Sequence, residues 1–238
     1  MGLFDLFRSR RRRDDSESNA PADAGPERHQ KLRDAWVALE TERFEDAASL
    51  AQQHTTSADS KLKLESKKLV ALVHFRQQDY AAAAPLFKEV AAASDDAFEW
   101  FNVVTSATLA GDIPLGEEAF QQALKCQEAA GYSQQPSVPF MRLYFACALR
   151  DRGEHRRALA QIEELRSIYE QLKITDDHFL HMRGVPFLSQ TMDVVVDVLR
   201  GLGDSFDANG WLDAFAAVVD EQGRAYLAMA KERLTNGE

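Results

Sequence analysis

One short pattern recurs four times along the chain and constrains its fold more than any other feature. It runs as a turn residue, a medium-sized residue, a small residue three positions later, and usually a large apolar one four further on. Residues 79–88, Asp-Tyr-Ala-Ala-Ala-Ala-Pro-Leu-Phe-Lys, are the clearest copy, with Tyr80, Ala83 and Phe87 in those places. The other copies are Phe44, Ala47 and Ala51; Ile113, Gly116, Phe120 and Ala123; and His155, Ala158, Ile162 and Leu165. The small residues stand at 47, 83, 116 and 158, so the intervals are 36, 33 and 42.

Residues three and four apart share one helix face, so each copy marks the buried stripe of a helix. A small residue fits where two axes approach to about 8–10 Å, a distance that a bulky side chain would not allow. Ahead of each copy lies another helical stripe. Before Gly111 it holds Trp100, Val103, Val104, Ala107 and Ala110; before Gly153, Phe145, Ala146 and Leu149; before Asp79, Ala71 and His74. Gly111 and Gly153 fall where such a helix must stop, and glycine takes the left-handed cap conformation without strain. The reading is therefore all-α, in helical hairpins.

Hairpins of this length and pattern resemble the tetratricopeptide repeat (TPR), whose unit is about 34 residues. The resemblance implies a right-handed superhelical α-solenoid with four hairpins over residues 28–173, at about 28–54, 60–93, 96–130 and 139–173. Residues 174–238 would follow as C-terminal capping helices or a degenerate fifth repeat. In this family the first helices of the hairpins line a concave groove that holds a protein segment. The matching positions here are Trp36 and Leu39; Lys68, Leu72, Phe75 and Arg76; Phe98, Phe101, Thr105 and Thr108; and Phe140, Leu143, Cys147 and Arg150. Family members that bind chaperone tails grip a terminal carboxylate with Lys and Asn one helical turn apart. Lys68 is followed a turn later by Leu72, so that pattern is missing. The expected occupant is an extended or helical protein segment held by aromatic anchors.

Local details follow from residue chemistry. Asp59 or Ser60 suits a helix cap. Pro85 lies inside a helical stripe, which predicts a kink or a helix starting near Ala82. Pro114 and Glu117 suit a helix start, and residues 131–137 form a longer loop that accounts for the interval of 42. Further on, residues 176–182 read as a short helix and 187–199 as a strongly apolar one with Asp193 and Asp197 on its polar edge. One last amphipathic helix runs from Trp211 through Tyr226 and Met229 to Leu234.

The start of the chain is of another kind. Leu3, Phe4, Leu6 and Phe7 share one face of a short helix, followed at once by Arg8 and by Arg10, Arg11, Arg12 and Arg13. An apolar wedge with a basic collar is the composition of an interfacial membrane anchor. Residues 1–13 resemble the membrane-targeting segment of the bacterial division-site topological factor. An intramolecular cap on the first hairpin and a plain tail are the alternatives. Leu6 stands where N-terminal myristoylation wants Ser or Thr. Residues 14–27 lack apolar bulk and read as a flexible linker.

Charge bears on the partner. The chain carries 28 Lys and Arg against 38 Asp and Glu, and residues 1–33 hold eight and six of these; the remainder is 20 against 32, or −12. An acidic body argues against nucleic acid and for a basic or apolar protein partner. Cys126 and Cys147 inside helices suit a reducing compartment, and the expected location is the cytoplasm, with peripheral attachment to the inner membrane if residues 1–13 bind it. No cofactor is expected. His178 and His181 beside Asp176 and Asp177 fall short of the three or four ligands a zinc shell needs, and Gly201-Leu-Gly203 is no phosphate loop. The expectation is a non-enzymatic scaffold or assembly factor; the alternative is a soluble chaperone or immunity-type binding protein.

Overall fold

The computed structural model describes residues 26–236, and its twelve α-helices are α1 (Pro26–Glu40), α2 (Phe44–Gln52), α3 (Ser60–Arg76), α4 (Tyr80–Ala91), α5 (Ala97–Ala110), α6 (Ile113–Ala129), α7 (Val138–Asp151), α8 (His155–Leu172), α9 (Asp177–Met182), α10 (Leu188–Leu202), α11 (Ala208–Ala216) and α12 (Glu221–Asn236). The chain divides into two compact units, one ending at Asp95 and the other beginning at Asp96. In the first unit α1 packs on α2 and α3 on α4, while α3 also meets α1 and α2. In the second, α5 packs on α6 and α7 on α8, α5 meets α7, and α10 lies against α7, α8 and α12. Helices thus pack mostly against their sequence neighbours. Among the described residues no helix is long and apolar enough to cross a membrane, and the segment 1–13 lies outside them.

The turn between the two helices of each hairpin is the same in all four. A residue with positive φ sits at Glu42 (59°), Gln78 (63°), Gly111 (94°) and Gly153 (76°). The N–H of the following residue donates to the carbonyl five positions back: Arg43 to Ala38 at 2.8 Å, Asp79 to His74, Asp112 to Ala107 and Glu154 to Leu149, each at 2.9 Å. The positive-φ residue itself donates to the carbonyl three back, so helix-end acceptors are satisfied within the turn. Five residues after each positive-φ position comes the small residue, at 47, 83, 116 and 158, and all four are buried. Glycine marks only two of these turns; Glu42 and Gln78 take the left-handed conformation in the other two.

Gly116 shows what the small residue is for. A Cβ built on it would meet Thr108 Oγ1 at 2.3 Å and the Val104 carbonyl at 3.4 Å. Thr108 and Val104 are buried on α5, so α5 and α6 cross where only a hydrogen fits. Acidic caps then fix the helix starts. Asp59 Oδ1 accepts from Lys61 N and Leu62 N, Asp79 Oδ1 from Ala82 N and Asp112 Oδ1 from Leu115 N. Pro85 differs from the expected late start: α4 begins at Tyr80 and runs through the proline, whose ring is exposed. The loop after α6 is held by Gln127, whose Nε2 donates to the carbonyls of Gln134 (2.9 Å) and Pro136 (2.8 Å).

The C-terminal region is organised around α10. Val194, Val195, Val196, Val198 and Leu199 are buried, while Asp193 and Asp197 point out and pair with Arg233 (2.6 Å) and Arg150 (3.0 Å). Tyr169 of α8 is fully buried; its hydroxyl donates to the Pro186 carbonyl at 2.8 Å and hydrogen-bonds Thr191 at 2.8 Å, tying α8 to the start of α10. The single last helix read from the sequence is in fact two. Asp220 ends the gap between α11 and α12, accepting from Gly223 N (2.9 Å), Thr175 N (2.8 Å) and the Thr175 hydroxyl. Partial burial works against its charge, but the bonds from Thr175 and Gly223 and the nearby Arg224 outweigh this and hold the carboxyl below its ordinary value.

Two stability outcomes follow. Gln78→Gly should raise unfolding stability by about 1 kcal/mol and Gly111→Ala should lower it by about 1–2 kcal/mol, because a left-handed residue with a Cβ is strained. Chemical denaturation at constant m-value reads both, and a destabilised Gln78→Gly would contradict the shared turn. Gly116→Ala gains roughly 1 kcal/mol of helix propensity but overpacks the crossing by about 1–3 kcal/mol. Adding Thr108→Ala removes the obstructing hydroxyl, so the double variant should show a coupling above about 0.5 kcal/mol; additive effects would mean that the helices do not touch there.

Candidate binding surface

The first-helix positions named from the sequence separate into two groups by burial. In the first unit Leu39 and Leu72 are buried, and Phe75 is 1% exposed, edge-on to Tyr80 at 5.2 Å and to Phe87 at 6.3 Å. Three polar-tipped side chains stay half-buried on the same helices. Trp36 Nε1 donates to Glu65 Oε1 at 3.1 Å, joining α1 to α3. Arg76 reaches back to Glu42 at 3.7 Å, and Lys68 lies two turns before it on α3. Leu39, Leu72 and Phe75 are thus buried, while Trp36, Lys68 and Arg76 keep part of their surface exposed on α1 and α3.

The second unit repeats this division. Phe98, Phe101, Thr105, Thr108 and Leu143 are buried. Thr105 Oγ1 turns back to the Phe101 and Asn102 carbonyls, both at 3.2 Å, and so bonds within its own helix. Phe101, Tyr144 and Phe140 form a row with successive ring centroids 6.4 Å apart, and Phe140 is the half-buried end of it. Tyr144 was not among the expected surface residues; its spacing of four from Phe140 is the signal that places it on that face.

Two polar residues of α5 have no such signal. Asn102 is fully buried and its Nδ2 donates to Glu99 Oε2 at 3.2 Å, with Glu99 itself 7% exposed. A glutamate in a first helical turn reads as solvent-facing from sequence. Here it is buried, and Asn102 Oδ1 has no hydrogen-bond partner among the described residues.

Arg150 and Cys147 complete α7. Arg150 donates to Asp197 of α10 at 3.0 Å and pairs with Asp151 at 2.8 Å. Burial works against its charge, and the two carboxylates outweigh that effect and raise its pKa. Cys147 and Cys126 are both half-buried, and neither is in a disulfide. Burial pushes the Cys147 thiol up to about 11; Arg150 opposes this, and Asp151 and Asp197 add to it. A thiol so poised is protonated near neutrality and is a poor nucleophile. His178 and His181 are exposed on α9, and Asp176 is engaged as its cap, accepting from Phe179 N at 2.9 Å. Among the described residues no three His, Cys, Asp or Glu side chains stand together as a metal shell would require.

The thiol gives a direct check. Thiolate fraction falls tenfold for each pH unit below the pKa, so alkylation of Cys147 by iodoacetamide at pH 8 should be at least about a hundredfold slower in the folded chain than in urea. Equal rates by mass spectrometry would show an open, ordinary thiol.

Comparison with known proteins adds no relative: no family model, no curated protein and no solved structure matches the chain.

Proposed function

We propose that this chain is a TPR-like scaffold or assembly factor, without catalytic activity, that holds a protein segment against the inner helices of its hairpins. The observation that carries this reading is the fourfold recurrence of one turn with a buried small residue five positions on. Recurrence of a whole hairpin is how repeat proteins build extended surfaces from short-range contacts. The right-handed superhelix and its groove belong to this proposal.

The chemistry of the inner face narrows what it takes. Arg76 and Arg150 are already neutralised by Glu42 and by Asp197 and Asp151. A partner would have to displace these carboxylates to use the guanidinium groups, which favours recognition through Trp36, Phe140 and the rim of the apolar floor. With a body charge of −12 outside residues 1–33, the partner segment is apolar or basic. Leu72, Phe75, Phe98, Phe101, Thr105 and Leu143 serve in this reading as the floor and Lys68 as a polar rim.

The second part of the proposal is a reversible tether to the inner membrane face through Leu3, Phe4, Leu6, Phe7 and the arginines at 8 and 10–13. Each arginine near an anionic surface contributes about 1 kcal/mol. In sedimentation with vesicles of phosphatidylethanolamine and phosphatidylglycerol, Arg10, Arg11, Arg12 and Arg13 all changed to Gln should lose up to about a thousandfold in partitioning. Unchanged partitioning, or none by the parent chain, overturns the tether and leaves the soluble chaperone or immunity-type reading. For the surface, Trp36→Ala with Phe140→Ala should abolish retention of proteins that copurify with the full chain, at an unfolding midpoint lowered only modestly. Full retention by that variant removes the inner helices from the binding role.

A further inference from the structure

Helix α9 turns three donor side chains to the outside. His178, His181 and Met182 are all exposed, Met182 at 72%. At about 100° per residue, His178 stands roughly 40° from Met182 and roughly 60° from His181 around the helix, so the three share the face opposite Leu180, which is fully buried. Among the described residues no hydrogen bond or ion pair engages either imidazole. The neighbouring charges are committed elsewhere. Asp176 caps the helix by accepting from Phe179 N at 2.9 Å, and Arg183 lies over the Phe179 ring at 5.1 Å.

We propose that His178, His181 and Met182 bind a soft monovalent metal ion of the Cu(I) class. The donor set selects the metal. Thioether and imidazole suit Cu(I), whereas Zn(II) takes thiolate, imidazole and carboxylate in a closed shell of four. Among the described residues no carboxylate or thiol joins the two histidines to make such a shell. What falls short for zinc is sufficient for an ion satisfied by two or three soft donors, and Met182 is the donor that a zinc shell would not use. Residues three and four apart on a helix have Cβ atoms about 5–6 Å apart, a span that one ion bridges between side chains of this length.

The short helix that carries the donors is held from behind. Besides the buried Leu180, the Val185 N–H donates to the Leu180 carbonyl at 3.0 Å around Gly184, whose φ is 65°, and the hydroxyl of Ser137, just before α7, donates to the Gly184 carbonyl. The donors therefore project from a fixed backbone, and binding has only their rotamers to order. The open outer side leaves the ion in contact with solvent, which makes this a site of exchange and not a structural one. Met229 supplies the contrast within the same molecule: it is 59% exposed on α12, a helix with no histidine. The assignment does not depend on the TPR reading or on the membrane one.

NMR of the full chain, isotopically labelled at its methionine methyl groups, tests this, with Cys126→Ala and Cys147→Ala in place so that no thiol competes. Cu(I), supplied without oxygen as its acetonitrile complex, should shift the Met182 methyl signal and saturate it near one equivalent, while Met229 responds only at several-fold higher concentration. His178→Ala, His181→Ala and Met182→Leu, all at exposed positions, should each weaken binding several-fold, the last read from the imidazole signals. Met182 and Met229 shifting together would reduce the site to an exposed thioether and overturn the proposal. An unchanged titration in His178→Ala, or no shift at all, overturns it too. Zn(II) moving the two imidazoles at the same concentrations as Cu(I) would mean a plain histidine pair without soft selectivity, and overturns it equally.

Discussion

The structure depends on a five-residue step. In each hairpin a left-handed residue closes the first helix, and five positions later a small residue sits at the crossing with it. The turn sets the direction of return, and the hydrogen bond from the next N–H to the carbonyl five back makes that direction reproducible. The close approach then follows within the first turn of the second helix, before the axes diverge. Gly116 meets Thr108 at this position, and Ala47, Ala83 and Ala158 occupy it in the other hairpins, all fully buried. Neither half works alone: a correct turn onto a bulky residue would splay the helices, and a small residue at another register would leave a void.

This frame explains how the two units use their side chains. Large apolar residues of the first helix reach their own second helix, as Phe75 does toward Tyr80 and Phe87. What remains for the exterior is the polar-tipped edge, Trp36, Lys68, Arg76 and Arg150, much of it already matched by carboxylates. In the second unit the polar edge of α10 is held by Arg150 and by Arg233, through Asp197 and Asp193. The exposed ion pairs contribute little each; the buried Tyr169 hydroxyl, bonded to the Pro186 carbonyl and to Thr191, contributes more because it is made away from water.

Much of the architecture was legible in residue spacing, and the reasons for the exceptions are physical. The small residues announce themselves because steric demand at a crossing admits few residue types. The turns at Glu42 and Gln78 do not, because a cost of about 1–2 kcal/mol for a left-handed residue is absorbed when the bond around it holds. The break between α11 and α12 carries a weak signal, since no glycine or proline falls in residues 217–220 and its one mark is Asp220 followed by Gly223. Spacing alone does not decide which of Phe75, Phe101 and Leu143 are core, for another reason. A periodicity of 3.6 identifies a face, but not which neighbour that face meets, and the inner and hairpin-facing sides of a first helix adjoin. Glu99 and Asn102 had no signal at all, because a polar pair inside a helix interior is specified only by what surrounds it.

The loop held by Gln127 carries a consequence for how such a chain changes length. Its eight or so extra residues lengthen one interval to 42 while the five-residue step on either side is untouched. Inside a hairpin an added residue would rotate every following side chain by about 100°, whereas between hairpins it only enlarges a surface excursion whose ends are already tied. Insertions, tags or grafted recognition loops are therefore tolerated at the joints between modules and rejected within them, and residues 131–137 are the natural place to add one.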